Sequence, residues 1–393
     1  MKVTYDILIL GGGASGLMCA AQLSRDPSLR VAIIEGNNRP ALKLKASGGG
    51  KCNLTNVTVD ESHFLGDAAL VKNALGVFPQ KALLDYFYAG GLRPLIRKER
   101  YYFCPHSSDE VIRILVGKIG SCALLLGHKI LSVGGENPFI VVTDKGELRA
   151  HKVVVATGGA SYKELGASDI GLQIAQRYGI HTIPFAPALV GLTLQPKEFW
   201  MKELSGISFP ARIQVAGKML EEDLLFAHKG ISGPVVLSAS LYWHRGEIVI
   251  DFCPEFDLAA VRNTKKSIST AIPLPKRFMK AFLDAVALED KPCNRLSWEE
   301  WAKLSTIKAY AMAPSGTFGM SKAEACRGGV ACGELDPQTM EARKVKGLYF
   351  IGESVDVTGE LGGYNFQWAF SSAVVCAKSL AQSPHAINVT LKQ

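Results

Sequence analysis

The first 35 residues constrain the fold more than any other part of the chain. An apolar run, Ile7–Leu10, precedes three glycines in G-x-G-x-x-G spacing, and the next segment, "ASGLMCAAQLS", favours a helix. In this spacing Gly11 permits a tight turn, Gly13 lets a phosphate approach the backbone, and Gly16 lets the helix pack closely on the strand. The pattern predicts a strand, a glycine turn and a helix.

A second apolar strand, "VAIIEG", follows and ends in Glu35, nineteen residues beyond Gly16. An acid at this place hydrogen-bonds the ribose hydroxyls of an adenosine. A pyrophosphate would then lie at the helix N-terminus, near Ala14 and Ser15, where free N–H groups and the helix dipole favour negative charge. The complete β-α-β unit therefore predicts a dinucleotide-binding domain.

Two later segments favour FAD over NAD. The segments "VVVATGGAS" and "GLYFIGESVDVTGELGGYNFQWA" each predict a strand that ends in glycine and polar residues. Both resemble flavoproteins of the glutathione-reductase type, in which such strands return the chain to the cofactor and an acidic residue meets the ribityl chain. That resemblance implies cofactor contacts from Thr157, Gly158, Gly159, Gly352, Glu353, Gly363, Tyr364 and Asn365.

A triple-glycine stretch, "LKASGGGKCNLTN", completes a wider resemblance. Together with "LLFAHKGISGPVVL" and the two segments above, it resembles the BaiN-type, or aminoacetone-oxidase-like, family of FAD-binding bacterial flavoproteins along essentially the whole chain. The resemblance implies non-covalent FAD and FAD-dependent redox chemistry. The predicted cofactor site gains Lys43, Ser47, Gly48, Gly49, Asn53 and Ile130.

The same resemblance implies an α/β fold, with a glutathione-reductase-type Rossmann-like FAD domain interrupted by an insert. The insert would consist of a small β-barrel and a helical subdomain. Alternating segments such as "ARIQVAG" and "GEIVIDFCP" predict its strands, and a charged helical pattern occupies residues 258–304. We therefore place the FAD domain in residues 1–188 and 326–393 and the insert in residues 189–325.

Nine cysteines form an odd number without CxxC pairs or Cys/His spacing suited to zinc. This pattern indicates reduced thiols in a cytoplasmic protein and gives no metal site. Cys52, inside the glycine stretch, has no other cysteine within thirty residues on either side. We therefore expect Cys52 to be a small, unreactive neighbour of the flavin.

Charge and hydropathy limit the possible partners. The uncharged stretch at residues 7–23 has a glycine turn at its centre, so we expect no signal or membrane segment. The net charge of +8 is scattered, except for clusters at residues 93–100 and 262–267, which we interpret as solvated faces. A small-molecule substrate is the expectation, with nucleic acid as the alternative that the charge suggests.

These features predict an FAD-dependent oxidoreductase that transfers hydride between the flavin and a small organic substrate. The alternatives are a flavin-dependent RNA-modifying enzyme and a non-catalytic flavoprotein sensor. No second G-x-G-x-x-G occurs in the chain, so NAD(P)H would act as a diffusible donor without its own domain. His228 and Tyr364 are the candidate proton donors.

Overall fold

The structure is a computed structural model, and it describes residues 4–382. The chain folds into two compact units. The first unit combines residues 4–186 with residues 326–382, and the second unit is Pro187–Ala325. The boundaries expected from the sequence were 188/189 and 325/326.

Short strands make up much of the described chain. In chain order they are β1 Tyr5–Leu10, β2 Val31–Glu35, β3 Asn53–Asn56, β4 Phe64–Leu65, β5 Leu95–Arg97, β6 Tyr101–Phe103, β7 Ala123–Leu126, β8 Ile130–Gly134, β9 Phe139–Thr143, β10 Gly146–Val155, β11 Thr182–Ala188, β12 Leu192–Thr193, β13 Ser208–Val215, β14 Lys218–Ala227, β15 Gly230–Ser232, β16 Ile248–Asp251, β17 Tyr310–Met312, β18 Gly316–Thr317, β19 Ala325–Val330, β20 Leu348–Phe350 and β21 Thr358–Gly359.

Helices connect these strands. The α-helices are α1 Ala14–Leu23, α2 Leu42–Gly50, α3 Ala68–Val77, α4 Gln80–Ala89, α5 Asp109–Gly117, α6 Ile170–Arg177, α7 Pro234–Tyr242, α8 Ile268–Ala271, α9 Lys276–Ala285, α10 Trp298–Ser305 and α11 Tyr364–Gln382. Short 3-10 helices lie at Glu61–His63, Lys163–Leu165, Pro196–Leu204, Leu258–Val261, Cys293–Arg295, Thr306–Lys308, Met320–Lys322, Cys332–Glu334 and Gly352–Ser354. Among the described helices, none combines the length and the apolar character that crossing a bilayer requires.

The first unit is built on a seven-stranded sheet with the order β7-β2-β1-β10-β9-β8, in which β20 also pairs with β10. β1 lies parallel to β2 and to β10, and β10 lies parallel to β20. All five residues of β2 are buried, as expected for a parallel strand that is covered on both faces. The carboxyl ends of these parallel strands therefore meet at one edge of the sheet, the Rossmann-like arrangement that the sequence predicted.

Helices and two further sheets complete the first unit. The apolar helix α1 packs against the long C-terminal helix α11 beside the main sheet. A three-stranded antiparallel sheet has the order β3-β6-β5, and its strand β3 begins directly after the glycine stretch. Strand β4 pairs with β21 close to the start of α11. These small sheets position the segments that surround the carboxyl edge of the main sheet.

The second unit is a seven-stranded antiparallel sheet with the order β17-β16-β13-β14-β15-β12-β18, together with the helical segment that the sequence predicted. Burial alternates along β13, so one face of that strand lies in the core. An aromatic cluster fills this core, and each fully buried phenylalanine stabilises the fold by about 2 kcal/mol. Its main members are Trp200, Phe209, Phe226, Phe252, Phe278 and Phe282.

Candidate cofactor site

The turn between β1 and α1 is fixed by close backbone contacts. Gly11 has φ +109°, and a Cβ atom there would lie 2.4 Å from the carbonyl oxygen of Ala156. A Cβ atom on Gly16 would lie 1.9 Å from the carbonyl oxygen of Gly11. No side chain other than hydrogen fits at either position, so helix α1 lies directly against the ends of β1 and β10.

Gly13 differs from these two glycines because its surroundings are open. A Cβ atom on Gly13 would meet no protein atom within 4 Å. Gly13 is also the N-cap residue of α1, where no side chain caps the helix and no acidic residue lies in the first turn. The first N–H groups of the helix, at Ala14 and Ser15, therefore face a space that suits a phosphate.

Glu35 lies at the end of β2 with its carboxylate held in a fixed orientation. Its Oε2 atom accepts a hydrogen bond from the backbone N–H of Gly12 at 2.8 Å, and its Oε1 atom accepts two from Asn37, also at 2.8 Å. The Glu35 side chain is therefore next to the glycine turn, where the sequence placed a ribose-binding acid. Asn37 was not predicted from the sequence, and only its position just after Glu35 could have suggested it.

An ion pair joins three segments at the carboxyl edge of the main sheet. The Lys43 ammonium donates to the Glu353 carboxylate at 2.6 Å and to the Ser161 hydroxyl at 2.6 Å. The same carboxylate accepts backbone N–H groups from Cys326 at 2.9 Å and from Gly159 at 3.3 Å. The site thus contains a charged pair that is about one quarter exposed, with side-chain values of 33% for Lys43 and 20% for Glu353.

Two buried polar atoms at this edge have no hydrogen-bond partner. They are Asn53 Oδ1 and Thr157 Oγ1, and Tyr86 Oη is the third such atom among the described residues. A buried polar atom without a partner costs about 1–3 kcal/mol, so native structures seldom contain one. The first two atoms belong to residues that the sequence assigned to the cofactor site, and a polar ligand would satisfy both of them.

The triple-glycine stretch forms an irregular loop inside the segment Leu42–Gly50. Ser47 leaves the helical conformation with ψ 150°, and Gly48, Gly49 and Gly50 have φ of +57°, +65° and +82°. A Cβ atom on Gly49 or Gly50 would meet no protein atom within 4 Å, whereas one on Gly48 would lie 3.0 Å from the Asn53 backbone nitrogen. The loop therefore leaves open space on the side of Gly49, as expected for backbone that approaches a ligand.

The start of α11 closes the site from another direction. A Cβ atom on Gly363 would lie 2.6 Å from the Thr55 backbone, so the helix start packs directly on β3. The Tyr364 ring stacks on His63 with centroids 4.6 Å apart, and burial raises the pKa of the Tyr364 phenol. The Asn365 amide bonds both backbone groups of Gly359 at 2.9 Å, so this side chain holds the loop in place.

The remaining predicted residues lie in different parts of the structure. Gly158 lies beside Glu353, and Gly352 donates its N–H to Ser372 and accepts from the Trp368 indole. Ile130, at the start of β8, is partly buried against the core. His228, a candidate proton donor, is exposed in the turn between β14 and β15 of the second unit.

Cys52 has a neighbour that its sequence position did not reveal. A hydrogen-bonded contact with the Cys104 thiol, together with complete burial, raises the pKa of the Cys52 thiol well above its usual value. Cys104 reaches this place because its backbone N–H bonds the Lys51 carbonyl at 2.9 Å. Separation along the chain therefore did not exclude a neighbouring thiol, because strand pairing brings together residues that are far apart in the chain.

These features fit a flavin dinucleotide. The open helix N-terminus suits the pyrophosphate, Glu35 suits the adenosine ribose, and the unpartnered atoms lie at the edge where the flavin half would extend. Fold and site together define an FAD-binding Rossmann-type flavoprotein. The chain belongs to the HI0933-like family, whose Rossmann-domain model matches residues 5–379.

Several proteins resemble the chain along most of its length. Ribosomal RNA dihydrouridine synthase from Escherichia coli is 37% identical and the alignment covers 96% of this chain and 98% of that protein. The protein of the same name from Haemophilus influenzae is 34% identical, with coverage of 97% and 100%. The 3-dehydro-bile acid delta(4,6)-reductase from Clostridium scindens is 29% identical, with coverage of 96% and 99%.

Solved flavoenzyme structures share the fold at low sequence identity. Quinol fumarate reductase FrdA from E. coli has a TM-score of 0.51 and 14% identity, over 99% of this chain and 72% of that chain. The 3-ketosteroid delta1-dehydrogenase from Sterolibacterium denitrificans has a TM-score of 0.50 and 11% identity, over 98% and 100%. The family match and the full-length relatives identify the chain as an FAD-dependent oxidoreductase.

Two glycine variants should separate folding from cofactor binding. In Gly16→Ala the new methyl carbon collides with the Gly11 carbonyl, so we expect the free energy of unfolding to fall by about 3 kcal/mol or more. In Gly13→Ala no protein atom is in the way, so the apoprotein should lose less than about 1 kcal/mol. FAD should nevertheless bind about tenfold more weakly or worse to Gly13→Ala, an energy of about 1.4 kcal/mol.

Urea denaturation of the two apoproteins and FAD titration of the Gly13→Ala protein measure these effects. A Gly13→Ala protein that binds FAD as tightly as the wild type would contradict a pyrophosphate at this turn.

Cys52→Ser should leave the flavin chemistry largely unchanged. A raised pKa keeps the buried Cys52 thiol protonated at neutral pH, and a protonated thiol is a poor nucleophile. We expect normal FAD content and a rate of flavin reduction within about tenfold of the wild type, a change of about 1.4 kcal/mol in the barrier. Anaerobic stopped-flow bleaching measures the rate, with Cys104→Ser as the matched control. Normal FAD binding without any reduction would make the thiol part of the chemistry.

Proposed function

We propose that the chain reduces a carbon–carbon double bond conjugated to a carbonyl group, and that its substrate is a uracil base in ribosomal RNA. One observation carries this proposal. Two relatives that align with almost the whole chain, at 37% and 34% identity, are both named ribosomal RNA dihydrouridine synthase. Their names describe the reduction of the uracil C5–C6 double bond, which is conjugated to a carbonyl.

The third relative supports the same class of reaction. Its name describes reduction of delta(4,6) double bonds in a 3-dehydro bile acid, and that double-bond system is also conjugated to a carbonyl. In such a reduction the carbon β to the carbonyl receives a hydride and the α carbon receives a proton, so two hydrogen atoms are added. The three names therefore share one chemical step, although the molecules that carry the double bond differ greatly in size and charge.

The proposed site supplies groups suited to this step. FAD, when bound and reduced, supplies the hydride. Tyr364 would give the proton to the α carbon, because burial raises its pKa and the phenol stays protonated at neutral pH. No other described group is hydrogen-bonded to the Tyr364 hydroxyl, so that hydroxyl is available to a substrate. NAD(P)H would return electrons to the flavin as a diffusible donor, without a domain of its own.

A positively charged hairpin supports RNA as the substrate. The β5–β6 hairpin, residues 93–103, carries Arg93, Arg97, Lys98 and Arg100 at exposed positions, and all three residues of β5 are exposed. Its strand β6 pairs with β3, which begins at Asn53 beside the glycine loop. A cationic element attached to the proposed flavin loop suits a polyanion better than a neutral small molecule.

A small organic substrate is the second candidate function. It is favoured by the 29% identical relative, whose named substrate is a bile acid. In this case the conjugated double bond would belong to a free molecule, and the hairpin cations would have no phosphate to bind. The two candidates differ in whether catalysis requires RNA.

The protein should form dihydrouridine in ribosomal RNA taken from cells that lack its gene. The assay contains FAD-loaded protein, NADPH and oxygen-free buffer, and mass spectrometry of the digested RNA detects the gain of two hydrogen atoms. The wild-type apoprotein, assayed without added FAD, is the matched control. If the RNA stays unmodified while a 3-oxo-4,6-diene steroid is reduced, the second candidate replaces the first.

Replacing Tyr364 with phenylalanine should slow proton delivery and leave cofactor reduction intact. Loss of a general acid costs about 100-fold or more in the step that it assists. We therefore expect flavin reduction by NADPH to stay at the wild-type rate and reoxidation by the substrate to fall by about that factor. Stopped-flow absorbance resolves the two half-reactions, and Tyr102→Phe controls for the loss of a nearby phenol. Equal slowing of both half-reactions would indicate a structural role for Tyr364.

A further inference from the structure

The second unit carries a surface that the proposed reaction does not use. This surface, the basic–aromatic patch, consists of Arg262, Lys265, Lys266, Arg295 and Trp298. All five side chains are exposed, and four of them are positively charged at neutral pH. The sequence alone suggested an ordinary solvated face for residues 262–267, because Trp298 and Arg295 lie thirty residues further along the chain.

The fold brings the two parts of the patch together through backbone pairing. The Asn294 N–H bonds the Thr264 carbonyl at 3.0 Å, and the Cys293 N–H bonds the Lys266 carbonyl at 3.0 Å. Ser267 and Pro292 form an isolated antiparallel bridge in the same region. The basic residues are therefore held next to the start of α10 on a fixed backbone, and Cys293 anchors the segment in the core.

Trp298 is placed in solvent and not in the core. Its exposure is 77%, the highest among the exposed large hydrophobic side chains of the described chain. The Arg262 guanidinium carbon lies 5.5 Å from the Trp298 ring centroid and 5.8 Å from that of Trp301. This cation–π contact orients the indole while leaving it exposed to solvent.

The cations of the patch have no acidic partner. Within residues 4–382, no carboxylate forms an ion pair with Arg262, Lys265, Lys266 or Arg295. By contrast, the neighbouring Lys291 is paired with Glu300 at 2.7 Å. The patch therefore presents four cations without ion pairs beside an exposed aromatic ring.

We propose that the basic–aromatic patch binds RNA, with an unpaired base stacked on Trp298 and the phosphates contacted by the four cations. This inference rests on the proposed function and extends it by assigning a docking surface in the second unit. Proteins that bind single-stranded nucleic acid combine a positively charged surface with aromatic side chains on which bases stack. The patch has both components, and its charge complements a phosphate backbone.

The experiment measures binding of a fluorescein-labelled, single-stranded RNA of about 16 nucleotides to the full-length, FAD-loaded protein by anisotropy. Trp298→Ala should weaken binding about tenfold or more, because a base loses its stacking partner. Lys265→Ala combined with Lys266→Ala should lower the slope of log affinity against log salt by about 1.5 units, the effect of two lost phosphate contacts. Because all three side chains are exposed, FAD content should not change.

Phe199→Ala is the matched control for Trp298→Ala. Phe199 is 44% exposed in the second unit and lies under the Lys202 ammonium, 3.2 Å from the ring centroid, so its loss also removes a cation–π pair. The Phe199→Ala protein should bind RNA as tightly as the wild-type protein. The proposal is overturned if Trp298→Ala binds RNA with unchanged affinity, or if Phe199→Ala loses as much affinity as Trp298→Ala. It is also overturned if Trp298→Ala loses binding to phosphatidylserine vesicles while its RNA binding stays intact.

A second readout separates this proposal from the proposed reaction. Dihydrouridine in ribosomal RNA is measured in cells that lack the gene and carry either the wild-type gene or the Trp298→Ala gene. If the wild-type gene restores dihydrouridine and the Trp298→Ala gene restores much less, the patch is supported. Equal restoration would overturn the patch alone. If the wild-type gene restores none while the anisotropy differences persist, the reaction is wrong and the patch remains supported.

Discussion

The ion pair between Lys43 and Glu353 determines how the cofactor edge is assembled. Lys43 follows β2, its partner Ser161 follows β10, and Glu353 follows β20, so one ammonium group connects the ends of three parallel strands. Parallel strands place their carboxyl ends at the same edge of a sheet, which is why ligands bind there in open α/β folds. With Glu353 also accepting the backbone N–H of Cys326, the first segment after the insert is fixed to the same edge.

Local spacing predicted the glycine turn and the acidic residue beside it. Gly11 and Gly16 are required by contacts within a single β-α-β unit, and Glu35 ends the next strand, so residues 11–35 contain the information. The proposed flavin half of the site contains contacts such as that of Lys43 with Glu353, which are 310 residues apart. Sequence spacing does not show which residues so far apart along the chain come into contact. Only the family resemblance pointed to these residues.

The same limit explains which contacts the sequence did not reveal. Cys104 lies beside Cys52 because β6 pairs with β3, and no local pattern predicts that pairing. The Asn365 amide bonds the backbone of Gly359, a partner that its place at a helix start did not indicate. In both cases the partner lies outside the segment from which the residue was interpreted.

The burial of the thiols affects how readily they are oxidised when oxygen is present. Flavoenzymes that meet oxygen can release hydrogen peroxide at their own cofactor, and peroxide oxidises exposed thiolates first. Every cysteine in this chain except Cys332 is buried, and burial raises the pKa of Cys332 and of Cys326 to about 11. Both thiols are therefore protonated at neutral pH, the form that peroxide attacks slowly, so peroxide released at a flavin would oxidise them slowly.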